Sequence, residues 1–264
     1  MKTYVLGSNG MLGKYLLNYF KGSIPVTRKE LDANDVVYMG GALFDLGVRA
    51  GDVLINAMGI TNKRAANANE FMAVNGLFPI MLAIHCESRG AHLIHISTDC
   101  VYSGDEGGYT EHSRSDANSI YGISKSVGDH ARCTVIRTSI IGENTKSDAD
   151  FLEWVRSNKG TFVTGYANHF WNGVTCLQLA KICGMIIDRA LFWKGVRHIF
   201  SPEVVSKSEM VRMVNDVYDL GITIQEIYEP YCDRSLSTVY AECSLFDIPG
   251  VKEQIEEQRN FSLR

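Results

Sequence analysis

The stretch from Thr3 to Gly13 constrains the fold more than any other. Thr3-Tyr4-Val5-Leu6 is an apolar run of the length of a short buried strand. Gly7-Ser8-Asn9-Gly10-Met11-Leu12-Gly13 follows at once, and Leu12, Tyr15, Leu16, Tyr19 and Phe20 then recur at helical spacing until Gly22. The glycines therefore fall at a strand-to-helix turn. Gly7 permits the tight turn, Gly10 the close approach of a pyrophosphate, and Gly13 a helix lying near the sheet. The spacing is G-x-x-G-x-x-G rather than G-x-G-x-x-G, and an ordinary glycine turn has the same letters. Its position between a first strand and a first helix favours dinucleotide binding.

The rest of the first half continues the alternation. Ile24-Pro25-Val26-Thr27 predicts a second strand. A dinucleotide fold that prefers NAD usually carries an acidic residue here, whereas this chain has Thr27-Arg28-Lys29. Arg28 suits a 2′-phosphate, so NADP(H) is the preferred cofactor and NAD(H) the alternative; two plain surface charges are the other reading. Asp52–Gly59 predicts a strand ending in Asn56-Ala57-Met58-Gly59, small residues against which a cofactor can lie. Asn67–Arg89 predicts a helix interrupted near Gly76 and Pro79. Ala91–Ser97 predicts a strand ending in Ser97-Thr98-Asp99, where a hydroxyl can bond a substrate carbonyl or cap a turn. Cys100–Ala117 reads as a loop, Tyr121 opens a helix, and Cys133–Ser139 is another strand.

This order predicts an α/β chain with a doubly wound parallel sheet, a Rossmann-type NAD(P)-binding fold. After Gly142 the pattern is irregular. Helices are expected at Phe151–Ser157, Thr175–Leu191, Lys207–Leu220 and Glu253–Gln258, a strand at Val196–Phe200 and a loop at Asp233–Thr238. Residues 1–142 are expected to form the cofactor-binding domain. Residues 143–264 are expected to complete the sheet and form a smaller interleaved lobe for substrate.

If the segment after Ser119 is helical, Tyr121 and Lys125 stand one turn apart on one face. An ammonium there favours phenolate and lowers the Tyr pKa, which suits proton exchange with a carbonyl or alcohol. A solvated helix face has the same spacing. The net charge of −4 gives no reason to expect a nucleic-acid partner. The seven cysteines include no Cys-x-x-Cys, and they and the histidines lack metal-ligand spacing, so buried thiols in a reducing compartment and no metal are expected. The N-terminus runs straight into a strand, and no apolar run approaches a membrane span in length. A cytoplasmic protein without leader or membrane contact is expected.

Taken in order, Gly7-x-x-Gly10-x-x-Gly13, Asn56-Ala57-Met58-Gly59, Ser97-Thr98-Asp99, Tyr121-x-x-x-Lys125 and Arg137-Thr138-Ser139 resemble the extended short-chain dehydrogenase/reductase family. The set covers the first half to two-thirds of the chain. Ser97-Thr98-Asp99-Cys100-Val101-Tyr102-Ser103-Gly104 and Arg28-Lys29-Glu30-Leu31-Asp32 are similar to segments of the dTDP-4-dehydrorhamnose reductase group within it, and Arg234-Ser235-Leu236-Ser237 stands where that group has an Arg-containing loop. The resemblance implies that Tyr121 is the general acid, that Lys125 holds the nicotinamide ribose, and that Thr98 bonds the reacting oxygen. It implies a cofactor held by Gly7, Asn9, Gly10, Met11, Leu12, Gly13 and Asn56–Gly59, with Asp32 near the adenine. Thr98, Asp99, Asn168, His169, Trp171 and Arg234 are the implied substrate contacts; for Trp171 a core aromatic is the alternative.

The implied reaction is reduction of a nucleotide-linked 4-keto-6-deoxy sugar, with a homodimer left open. Dehydratase relatives place Asp-Glu after the Thr; Asp99-Cys100 lacks the Glu and favours reduction. A nucleotide-sugar 4-epimerase and a non-catalytic cofactor-binding subunit are the alternatives. The chain departs from the group at Asp116-Ala117-Asn118-Ser119, where Pro is common, and through Tyr166–Thr175.

Overall fold

Strands that are apolar on both faces need cover on both faces, and this need organises the molecule. The computed structural model describes residues 1–61, 66–143, 150–261 and 263. The first half runs β1 (Thr3–Leu6), α1 (Met11–Tyr19), β2 (Ile24–Val26), α2 (Met39–Asp45), β3 (Val53–Asn56), α3 (Ala68–Phe71), a π-helical turn (Met72–Leu77), α4 (Phe78–Ser88), β4 (His92–Ile96), α5 (Ile120–Gly128) and β5 (Thr134–Arg137). The second half runs β6 (Ile140–Ile141), α6 (Phe151–Ser157), β7 (Phe162–Tyr166), β8 (His169–Trp171), β9 (Val174–Thr175), α7 (Cys176–Asp188), β10 (Gly195–His198), β11 (Val205–Ser206), α8 (Lys207–Tyr218), β12 (Thr223–Ile227), β13 (Cys232–Asp233) and α9 (Val251–Asn260).

Six parallel strands form the central sheet in the order β10-β5-β4-β3-β1-β2. Side chains alternate across it. Tyr4, Leu6, Leu54, Leu93 and Val135 face one core with α2 and α4, while Val5, Ile55, Ile94 and Ile136 face the other with α1 and α7. The chain leaves β1 toward β2 and returns across it to β3, so the strand order reverses there. The carboxyl ends of β1 and β3 open the crevice in which α/β sheets bind ligands.

The expected helix over Asn67–Arg89 is present without a break. Pro79 lacks an N–H and its ring would strike the carbonyl of Asn75. The π-helical turn widens the backbone just before it, and the Phe78 N–H reaches back to Ala73. By length and composition Ala68–Ser88 could cross a membrane, which corrects the expectation that no such run exists. Half of it is buried, with Phe71, Val74, Phe78 and Leu82 packed against the sheet.

The second half supplies β10, paired parallel to β5, and a lobe with its own core of Leu152, Val155, Val163, Trp171, Met210, Val214 and Ile255. Its short strands escape the sequence reading. β7 pairs with β12, and β8 pairs with β11 and β13, across long sequence separations. Helix α2 also escaped, because Gly40 and Gly41 depress its propensity while burial of Met39, Ala42 and Leu43 holds it.

Candidate active site

The glycine turn is built by contact distances. Gly7 has φ +75, and a Cβ on it would lie 3.0 Å from the backbone of Ala57 and Met58. A Cβ on Gly13 would lie 2.2 Å from the Gly7 carbonyl oxygen. The first turn of α1 carries no acidic residue and its N-cap, Gly10, has no capping side chain, so its N–H groups face the crevice unspent. Buried Asn56 ties the opposite wall together: its Oδ1 accepts from the Met58 N–H at 3.1 Å, and its Nδ2 donates to His95 Nδ1 at 3.1 Å. A cavity of about 260 Å³ runs from Gly7, Asn9 and Gly10 past Ala57–Ile60 to Thr27, Arg28 and Asp32. Arg28 donates from Nε to Asp32 at 3.1 Å, with both side chains largely exposed.

A second cavity of about 430 Å³ continues from Gly10, Met11 and Leu12 past Ala57–Gly59 to Thr98, Asp99, Cys100, Tyr121 and Lys125. Thr98 lies two residues past β4 and caps a short turn; its Oγ1 accepts from the Cys100 N–H at 3.2 Å and donates to Asp99 Oδ1 at 3.2 Å. Tyr121 arrives on α5, capped by Ser119 Oγ accepting from the Gly122 N–H at 3.1 Å. Two glycines seat that helix. A Cβ on Gly122 would lie 2.2 Å from the Cys100 carbonyl oxygen, and one on Gly128 would lie 2.2 Å from that of Asn75. Asn75 is buried and donates from Nδ2 to the Ile60 carbonyl at 2.9 Å and to Ser124 Oγ at 3.1 Å, joining α5 to the cofactor wall. Nothing in the spacing of the sequence marks Asn75; a polar residue inside an apolar helix is the one available signal.

Burial decides the charge states. It pushes the Tyr121 phenol well above its ordinary range, and the nearby Thr98 hydroxyl opposes the rise only in part. The expectation that Lys125 lowers this pKa is thus not what the structure shows. Lys125 sends its Nζ to the Ile96 carbonyl at 2.7 Å, and burial brings its own pKa down to about 8 against the pull of Asp129. Burial also raises the Asp99 acid, opposed by Arg234 and Lys207, and pushes the Cys100 thiol up to about 12.

The implied substrate contacts fall in different places. Thr98 and Asp99 line the reactive cavity. Trp171 is buried in the lobe core and borders a small cavity beside the cleft. Asn168 donates to the Tyr228 carbonyl. Arg234 donates from Nε to the Tyr102 carbonyl at 3.0 Å and from Nη2 to that of Ser103 at 3.1 Å. Asn168 and Arg234 therefore stand outside the cavity walls, while Ser139, Asp150 and Lys207, which the sequence reading passed over as site residues, border the cleft or the small cavity next to it.

The strand order, the glycine turn at its reversal and the Thr98–Tyr121–Lys125 cleft define a Rossmann-type α/β protein of the extended short-chain dehydrogenase/reductase kind. The family model described as RmlD substrate binding domain matches residues 1–228, and the chain belongs to that family. Over 152 residues the chain is 32% identical to the dTDP-4-dehydrorhamnose reductase of Mycobacterium tuberculosis, a match covering 51% of this chain and 48% of that protein. The chain thus spans about half the length of that relative. Over 254 residues it is 25% identical to a Haloferax volcanii protein named "Probable low-salt glycan biosynthesis reductase Agl14", covering 86% of this chain and 83% of the other. The solved dTDP-4-dehydrorhamnose reductase from Bacillus anthracis, in complex with NADP, matches with TM-score 0.83 over 98% of both chains at 19% identity, a likeness of fold.

Proposed function

We propose that this chain is an NADP(H)-dependent reductase of a nucleotide-linked 4-keto-6-deoxy sugar. Residues 1–142 hold the cofactor and residues 143–264 the substrate lobe. The reading is carried by one observation: Thr98, Tyr121 and Lys125 line one cavity that continues from the glycine turn. Relatives named as reductases of dTDP-linked keto sugars, and a fold neighbour in complex with NADP, support it.

The residues fit a dinucleotide. Gly13 lets α1 pack against the Gly7–Ser8 turn, which brings its N-terminus to the crevice, and that N-terminus offers donors without an acidic residue in its first turn. Asn9, Met11, Leu12 and Ala57–Gly59 would flank it, with Arg28 and Asp32 toward its adenosine end. When bound, the reduced nicotinamide supplies hydride to the C4 carbon of the sugar. Tyr121 orients the C4 carbonyl oxygen by a hydrogen bond, and Thr98 adds a second by turning its hydroxyl hydrogen from Asp99 Oδ1 to that oxygen. Tyr121 gives that oxygen its proton as it gains charge, and the Lys125 ammonium stabilises the phenolate left behind. Lys125 would also hold the nicotinamide ribose. Asp99 supports Thr98. Cys100, with its thiol held protonated, offers no base for the proton abstraction that dehydration requires.

The test is cofactor oxidation by the full chain with dTDP- and UDP-linked 4-keto-6-deoxy sugars, using NADPH and NADH, each against a control without sugar. Oxidation dependent on one sugar, faster with NADPH, is expected. Cofactor binding without sugar-dependent oxidation for any of them would overturn the reading.

A further inference from the structure

We propose that Lys207 is the anchor for the diphosphate of the nucleotide-linked substrate, set where the reactive cleft meets a separate cavity of the lobe. The inference rests on the nucleotide-sugar reading above.

In the sequence Lys207 is one charge on an amphipathic helix. It opens α8 directly after the Ser206 cap, where the helix dipole disfavours a cation and the capping box of Ser206 and Glu209 already satisfies the end. The structure turns its side chain inward. Nζ stands 5.0 Å from the centre of the Phe151 ring and 5.6 Å from that of Trp171. The residue as a whole is half-buried, while its ammonium lies deep enough for desolvation to lower its pKa. Among the described residues no hydrogen bond or ion pair reaches this ammonium; Asp99 attracts it from a distance. Ring faces offset part of the cost of burying a cation but leave its three N–H donors unspent.

Those donors face the right space. The small cavity beside the cleft, about 150 Å³, shares Met11, Ser139, Ile140 and Asp150 with the reactive cavity and is walled by Lys207. Lys207 also walls a lobe cavity of about 530 Å³. There Tyr166 and His169 stack at 4.3 Å, and His169 Nε2 is buried without a partner among the described residues. A nucleotide sugar whose keto group reacts at Thr98 and whose base reaches the lobe has its diphosphate at this junction. Two carboxylates stand near this junction: Asp99, whose acid burial pushes toward its neutral form against the pull of Arg234 and Lys207, and Asp150, which walls the small cavity with Lys207. Arg234, the cation that the family resemblance points to, gives Nε and Nη2 to carbonyls and sets Nη1 3.9 Å from the Cys100 sulfur; the Lys207 ammonium has no such partner among the described residues.

The test is calorimetric titration of dTDP and of UDP into the full chain saturated with NADP⁺, so that the cofactor crevice is closed to them. Wild type is expected to bind at least one of the two, with an affinity that falls steeply as salt rises. K207M should weaken that binding about 10- to 100-fold and flatten the salt dependence, with NADP⁺ affinity and Tm unchanged. K207R should recover much of the loss. With the sugar substrate, K207M should raise KM far more than it lowers kcat. Wild-type affinity in K207M would overturn the anchor and leave the reductase reading standing. A wild type that binds NADP⁺ but neither nucleoside diphosphate would overturn both. Should K207M fold poorly, K207Q carries the same expectation, and full affinity there would equally refute it.

Discussion

Replacing Gly13 by Ala tests whether the glycine turn is a matter of helix packing or merely of loop flexibility. A Cβ at this position would lie 2.2 Å from Gly7 O, 2.8 Å from Ser8 Cα and 2.9 Å from Gly7 C. All three are backbone atoms, so no side chain can swing away, and α1 must retreat by about 1 Å to restore ordinary contact. Overpacking of this kind costs about 1–3 kcal/mol, and here the upper end applies because the obstacle is backbone. Ala in a helix regains about 1 kcal/mol over Gly. The expected net loss is about 2 kcal/mol, or roughly 4 °C in Tm for a chain of this length at the usual unfolding entropy per residue. The same retreat withdraws the α1 N–H groups from a pyrophosphate, so NADPH affinity should fall about tenfold or more. Gly40→Ala is the matched control, since the nearest atom there is His85 Cε1 at 3.3 Å, on a side chain that can move. Urea unfolding and fluorescence titration of NADPH on both variants decide the matter. A G13A protein as stable as G40A, with wild-type NADPH affinity, would refute the packing argument.

Tyr121→Phe should abolish sugar-dependent NADPH oxidation while leaving NADPH affinity within about twofold of wild type; surviving turnover would remove Tyr121 as the proton donor. Arg137 pairs with Asp129 at 2.6 Å in a buried site and donates to Tyr102 Oη at 2.5 Å, so Arg137→Met, which strands the carboxylate, should cost about 3–5 kcal/mol in urea unfolding. His198 is held neutral, first by burial and then by the Arg137 charge, so its folded pKa lies below its unfolded value of about 6.5. The unfolded chain therefore binds the proton more readily, and stability is full above pH 6.5 and falls as acid is added through the folded pKa. A urea midpoint equally sensitive to acid in H198Q would contradict that assignment.

How much of this was legible depended on whether the cause was local. Thr3–Gly13 is local: an apolar run, a turn that only small residues allow and a helical period, all within one short segment, and the structure keeps each. The sheet followed because alternating apolar runs and helices have few ways to pack. β7 and β12 were not legible, since each finds its hydrogen bonds in a segment some sixty residues away, Phe162 opposite Thr223. Tyr121 and Lys125 show the limit at the site itself. Helical spacing placed them on one face, and proximity of an ammonium argued for a lowered phenol pKa. The spacing could not state how closely Gly122 and Gly128 would let α5 pack against the Cys100 turn and the π-helical turn, and the desolvation there raises rather than lowers the Tyr121 pKa. A protonated phenol enters a reduction carrying the proton that the product alcohol needs, as an unperturbed phenol would at neutral pH. Lys125, with a pKa brought down to about 8 and its Nζ committed to the Ile96 carbonyl, becomes most useful once negative charge develops on the phenol oxygen. In the proposed reaction the pair would act in the step in which charge appears on the phenol oxygen, where stabilisation lowers the barrier.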